Sequence, residues 1–445
     1  MILVVLTVGL GTCPGFDAFK RVLEGEVVVV EDDLVKALDS ARAILESEAL
    51  KREIYGYCRG LGALMERRGF CGHEWERRVL EEHAVGLGEW APYEVSRLFL
   101  FIRLLQMARG FDPVRGILAL RLAEALNARI TPLIPIRGSL GASGDLVPSA
   151  HAIQCIVEGR GLALYKSSVV ECSHALESEG LKPVDLMPGE ALVLINNTAW
   201  STAMLAYVVM KLEDILFKSL KVATETLEVC RCVREHYEPR VSLLKNHPGV
   251  ERVMSIISSL ECNNVARIQD PYSLRCTPFI YSALLEVLDY AKMVALRESC
   301  STTSNPTVVE GRVLHSCPFH AVHIAIAADT LAIALAHMAN TIERRIAQVM
   351  RGDITGLPDF LAVDGPVGAM IKHYVAVAIT ARMRALATPF SIHSIPVSHL
   401  QEDVIPQAGE ATLRLLEMVK LLEQLVSLEE EVTSIAKSIK NRPSA

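Results

Sequence analysis

The sequence has no surplus of positive charge. Its 52 Asp and Glu outnumber its 45 Lys and Arg, for a net charge of −7. That argues against a nucleic-acid-binding protein, which would carry basic patches. It also lacks any uncharged apolar run of the ~18 residues that a membrane span needs. The nearest is 321–339, where His323, Asp329 and His337 interrupt, so it reads as a buried core helix. No Lys or Arg precedes Lys20, so the positive start of a signal peptide is missing. The β-branched start ending in Gly-Thr-Cys-Pro-Gly reads instead as a short strand and turn. The eleven cysteines show no paired spacing, and Cys230 and Cys232 stand too close for a usual disulfide or zinc knuckle. The expectation is buried thiols in a reducing compartment, hence the cytoplasm. Neither a fixed-period repeat nor a sustained heptad is present.

What is present is a long apolar chain. Of 445 residues, 51% are hydrophobic and 22% charged, which fits a large interior or extensive burial between subunits. Helical patterns cover 32–50, 72–84, 92–109, 117–126 and 147–159. Longer ones follow at 201–235, 278–299, 321–351, 366–387 and 410–440. Such lengths predict a mainly α fold, a bundle of long helices buried against one another and against other subunits. Segments 162–165 and 169–172 flank a polar turn; with the N-terminal strand they are expected to supply most of the sheet. Glu429, Glu430 and Glu431 in the last helix read as a solvated face. Two parts are expected, 1–135 with a Gly-rich tyrosine loop and 136–445 with a second Gly-rich loop and the long helices.

That second loop, Gly138-Ser139-Leu140-Gly141-Ala142-Ser143-Gly144-Asp145-Leu146-Val147-Pro148, organises the chemistry. Its glycines let the backbone bend where a side chain would forbid it. At its centre, the unhindered amide nitrogen of Gly144 could attack the carbonyl carbon of Ala142. Loss of water from that ring and from the Ser143 hydroxyl would leave a methylidene-imidazolone. No ordinary side chain is a good electrophile, so a protein needing one must borrow a cofactor or build one. A bare Ala-Ser-Gly is usually just a turn.

The longer string closely resembles the signature of the histidine and aromatic amino-acid ammonia-lyases, in which this triplet becomes the methylidene-imidazolone. The resemblance extends from about residue 31 to about 407; the last thirty-odd residues do not match the family's usual ending. Tyr55-Gly56 resembles the family's Tyr-Gly-x-Asn-Thr-Gly-Phe-Gly segment, whose Tyr removes the β-proton. Cys58, Arg59 and Leu61 depart from it. A phenol is a poor base unless its surroundings tune it. His83 resembles the His of Ser-His-Ala-Ala-Gly, a mark of enzymes for polar rings. Asn196 resembles the Asn of Leu-Asn-Gly-Thr, with Asn197 in place of Gly. The string from Gln269 to Cys276 is nearly the family's own. It implies Arg275 on the substrate carboxylate, Tyr272 near the imidazolone and Gln269 near the substrate. Ser304-Asn305-Pro306 resembles Asp-Asn-Pro with the acid lost. Phe319-His320 resembles Asn-Phe-His, with Pro318 replacing Asn and Phe319 placed to pack on the substrate ring. Glu343-Arg344-Arg345 fits a structural Ser-Glu-Arg-Arg. Gln401-Glu402 matches histidine-specific members, where other members carry Asn-Gln. A carboxylate can accept from an imidazole N–H and is wasted on a phenyl ring.

The resemblance implies a carbon–nitrogen lyase that eliminates ammonia from a small amino acid, histidine giving trans-urocanate. The site residues are then Tyr55, Ala142, Ser143, Gly144 and Tyr272, with His83, Asn196, Gln269, Arg275, Phe319 and Glu402 binding substrate. No external cofactor, metal, nucleic acid or membrane is expected. A homotetramer with shared active sites is implied. His315, Cys317, His320 and His323 invite a metal reading, but their spacing fits no standard zinc pattern. The alternatives are tyrosine or phenylalanine lyases or aminomutases, and a binding homologue without catalysis. A fumarase-type lyase lacks its Gly-Ser-Ser-x-Met-Pro-type loop here.

Overall fold

The structure is a computed structural model that describes residues 5–258, 260–262 and 267–441. Its long helices lie where the apolar periodicity puts them: Ala199–Val229, Thr277–Ser299, Val322–Val349, Met370–Leu386 and Ala408–Lys440. The first stops short of the expected 235. Arg267 Nη2 donates to the carbonyls of Cys230 and Arg231 at 2.5 and 2.9 Å, closing the helix end. Two stretches, Glu190–Val229 and Val322–Val349, have the length and composition to cross a membrane, one more than the sequence reading singled out. The fold buries 94% and 61% of their most apolar windows, as it would for core helices.

Strands are short and more dispersed than expected. Val5–Val8 pairs in parallel with Val27–Val30, a run of four valines suited to a pleated surface. Leu162–Tyr165 pairs with Ser168–Glu171 through a two-residue turn at Lys166 and Ser167, both with positive φ. Thr131–Pro132 joins this pair as a third strand. Leu87–Trp90 with Pro135–Arg137, and Thr307–Val309 with Arg312–Leu314, make two further sheets. Sequence patterning missed these because runs of two to four residues carry too little periodicity.

The chain forms two compact units. The first comprises Met1–Tyr207, Lys292–Ala328 and Phe390–Leu413. Both glycine-rich loops fall in it. Its core includes Trp200, Phe99 and Phe101, all fully buried. Arg103 and Asp112 form a fully buried ion pair at 2.6 Å, to which Ser304 Oγ adds a bond to Asp112 at 2.6 Å. Ser304 therefore supports an acid supplied from elsewhere in the chain. The second unit comprises Val208–Ala291, Asp329–Pro389 and Arg414–Ala445. Within it, Arg345 is completely buried and holds Glu429 at 2.5 and 2.8 Å, with Tyr281 on the same guanidinium. Glu429 is thus no part of a solvated face. It lies four residues before buried Thr433, on the inward stripe of its helix. Its neighbours Glu430 and Glu431 do reach the surface, where they pair with Lys218 and Lys372.

The cysteines correct the sequence reading most. Eight of the eleven are paired, as Cys13–Cys300, Cys58–Cys71, Cys155–Cys172 and Cys232–Cys262. Cys232 is bonded, but not to Cys230. Of the free thiols, only Cys230 is buried. The expectation of free buried thiols therefore fails for these eight, and the cysteines no longer argue for a reducing compartment. Partners up to 287 positions apart leave no spacing signal.

Candidate active site

The central loop is fixed by backbone and side chain together. Gly144 takes φ +70°, and a Cβ there would come within 2.5 Å of the Asn197 carbonyl oxygen. Only glycine allows that approach. Asp145 is fully buried and accepts from Ser139 Oγ at 2.5 Å and from the N–H and Oγ of Ser201 at 2.8 and 2.6 Å. Burial pushes its carboxyl upward, and these donors oppose the shift. Ala408 N–H donates to Leu140 O at 3.1 Å, and Ala321 N–H to Gly141 O at 2.9 Å. Three long helices thus begin beside this loop and bring the positive ends of their dipoles to it, a setting that favours negative charge.

Asn196 ends the short helix Glu190–Ile195 and donates Nδ2 to Ser143 O at 2.6 Å. Its Oδ1 is buried with no hydrogen-bond partner among the described residues. Asn197 is there for its side chain: Oδ1 accepts from Ala199 N–H at 2.8 Å and caps the long helix. The departure from Gly thus has a structural role.

Two cavities, of 240 and 650 Å³, share Tyr55, Gly62, Ser143 and Glu402 in their walls. His83 and Asn196 line the smaller; Ala142 and Phe319 line the larger. Tyr55 Oη accepts from Gly62 N–H at 2.9 Å. Burial pushes its phenol upward, and the Glu402 charge adds to this, while the Gly62 donor opposes it. His83 Nδ1 donates to Val79 O at 2.7 Å, which leaves Nε2 as the ring's other polar atom. Cys317 also lines the larger cavity, where burial and the Glu402 charge push its thiol up.

Gln269, Tyr272 and Arg275 line neither cavity. They belong to the second unit. Tyr272 is 71% exposed, and the Arg275 guanidinium stacks 5.0 Å above its ring. The departures in the tyrosine loop have local partners. Cys58 is bonded to Cys71. Arg59 pairs with Glu53 and donates to the carbonyls of Met65 and Glu66 at 2.9 and 3.1 Å. It lines neither cavity. Among the described residues no three His, Cys, Asp or Glu converge as a metal site. His315 instead accepts from Tyr55 N–H at 3.1 Å, and His320 Nε2 lies 3.1 Å from Val404 O. No motif or spacing points to the Tyr55–His315 contact, which spans 260 positions.

The arrangement sets a left-handed glycine turn beneath three helix starts, with a tyrosine in the wall of the adjoining cavities. The profile of the family described as aromatic amino acid lyase matches residues 15–444, so the chain belongs to that family. The match runs through the last helix, which corrects the expectation of a divergent ending. Histidine ammonia-lyase of Geobacillus sp. strain WCH70 is 34% identical over 442 residues, 96% of this chain and 86% of that protein. A probable histidine ammonia-lyase of Thermoplasma acidophilum is 32% identical, covering 93% and 86%. Among solved structures, Pantoea agglomerans phenylalanine aminomutase superposes with a TM-score of 0.91 at 26% identity, covering 98% of this chain and 91% of that one. Ergothionase from Treponema denticola gives 0.94 at 23%, covering 99% and 91%, and shares the fold.

Proposed function

We propose that the protein eliminates ammonia from L-histidine to give trans-urocanate. The observation that carries this is the shared wall of Tyr55, Ser143 and Glu402, with His83 and Asn196 in the same cavity. Cyclised Ala142-Ser143-Gly144 would supply an electrophilic carbon for the substrate's amine, making ammonia a better leaving group. The residues around the triplet fit such a group: Gly144 lies against the Asn197 backbone, the Asn196 Oδ1 has no partner among the described residues, and helix N-termini favour charge there. No external cofactor enters this reading.

Tyr55 takes the β-proton, with Gly62 N–H stabilising its oxyanion. Asn196 holds the amino-acid end. Glu402 accepts from the imidazole N–H, His83 meets the ring's polar edge, and Phe319 packs on the ring. Arg275 pairs with the carboxylate, with Gln269 and Tyr272 beside it. In this reading these three are supplied by another copy, in the homotetramer with shared sites that the family resemblance implies. In this reading residues 1–135 bring the base and 136–445 the electrophile loop and helices of one catalytic unit.

A second reading, a phenylalanine or tyrosine lyase or aminomutase, is favoured by the 26% likeness to the Pantoea agglomerans enzyme. Side-by-side assays of histidine, tyrosine and phenylalanine decide between them. Turnover of tyrosine without turnover of histidine would sink the first reading. Intact mass tests the chemistry itself: the chain should be lighter by two waters, and a full-mass chain would be a binding homologue.

A further inference from the structure

Tyr55 is held at both ends. Its hydroxyl accepts from Gly62 N–H, and its own N–H donates to His315 Nε2 at 3.1 Å. His315 directly follows the hairpin Thr307–Val309 and Arg312–Leu314. Val308 and Val313 of that hairpin are buried in one cluster with Ala41, Leu45 and Ile54. Ile54 immediately precedes Tyr55, so the two segments share a core as well as a hydrogen bond. The histidine's seat is fixed further: Arg52 Nη2 donates to Val313 O at 2.5 Å, and Ser316 N–H to Asn305 Oδ1 at 3.1 Å. His315 lines the same 650 Å³ cavity as Tyr55 and Ser143. Accepting at Nε2 means that its proton sits on Nδ1.

We propose that His315 is a positioning residue for Tyr55, its neutral imidazole anchoring the backbone of the base and its protonation releasing it. This rests on the lyase reading above. A protonated imidazole donates from both nitrogens, so it would face the Tyr55 N–H donor to donor. Arg52, itself paired with Glu48 at 2.9 Å, disfavours the charged ring, and burial does so more strongly. Glu402, Asp403, Cys317, His320 and Tyr55 face the same cavity, and of the charges around the ring it is that of Arg52 that shifts it. Since burial and Arg52 dominate, the ring charges only below the usual histidine value of about 6.5.

The test uses the full chain, with L-histidine as substrate, across about pH 5 to 9. His315→Ala is expected to lower kcat by about tenfold to a hundredfold with little change in KM, as a misplaced base would. His315→Gln, whose Oε1 can accept the same N–H, should keep most of kcat and lose only the extra fall below about pH 6.5 that protonation of His315 adds to the slope set by Tyr55. Amide exchange of a peptide containing Tyr55 reads the bond without turnover: slow in wild type and His315→Gln, faster in His315→Ala. Unchanged exchange in His315→Ala overturns the proposal, and so does a His315→Gln profile that keeps the wild type's extra fall below about pH 6.5, beyond the slope Tyr55 imposes. If His315→Ala does not fold, the acid limb of His315→Gln decides. A wild type that turns over none of the three amino acids sinks the lyase reading alone, and the exchange comparison then decides the role of His315.

Discussion

Asn196 donates its side-chain amide to the Ser143 carbonyl at 2.6 Å while its own Oδ1 stays buried and without a partner among the described residues. The bond ties the end of a short helix to the residue whose hydroxyl must be lost to make the electrophile. Asn196→Ala should therefore lower kcat by about 10² to 10³, the scale for removing one preorganised donor. Ser143→Ala should abolish turnover while leaving the circular dichroism spectrum and melting temperature near wild type. An active Ser143→Ala protein would refute the mechanism.

Tyr55 carries a pH signature. Burial and Glu402 raise its phenol, so the anionic base becomes more populated as pH rises. kcat/KM should climb through the alkaline range, beyond the ordinary tyrosine value of about 10. Tyr55→Phe should lose about 10² to 10⁴ in rate, together with that climb. A Tyr55→Phe enzyme with the wild-type profile would show that another group takes the proton.

Glu76 links the His83 helix to Asn196. It is 1% exposed and accepts from Gly189 N–H and Ala191 N–H at 2.9 and 2.8 Å, at the start of the helix that ends on Asn196. Burial raises its carboxyl to about 7; the two N–H groups and Arg42 oppose the rise, and Glu190 adds to it. A carboxyl raised on folding stabilises the protein below its unfolded value of ~4.5, and that contribution is lost as pH rises through about 7. Its size is on the order of 3 kcal/mol. Urea midpoints of wild type and Glu76→Gln should diverge across that window, and parallel curves would count against it.

The Cys58–Cys71 bond closes the loop that follows Tyr55. Reduction by a dithiol, or Cys58→Ser with Cys71→Ser, should cost about 2–3 kcal/mol for a loop of this length. Proteolysis should then cut within 58–71 first. Equal cleavage rates before and after reduction would show that other contacts hold the loop.

Much of the site was legible because its chemistry is local. Ala142-Ser143-Gly144 are contiguous, and Gly144 is dictated by the approach of the Asn197 backbone. The long helices were legible because their apolar periodicity runs over many turns. What escaped the sequence depends on distant partners. Glu429 looks like one of three surface acids until Arg345 is found against it. Cys58 looks like a damaged motif until Cys71 is bonded to it.

The sequence by itself determined the family, the helical architecture and the triplet able to cyclise, since each is written in contiguous residues or in a repeating pattern. Tertiary structure alone decided which cysteines pair, that Asn197 caps a helix, and that His315 anchors Tyr55 from 260 positions away. Those facts are set by which backbone atoms come within hydrogen-bonding reach once the core is buried. No one-dimensional spacing encodes that.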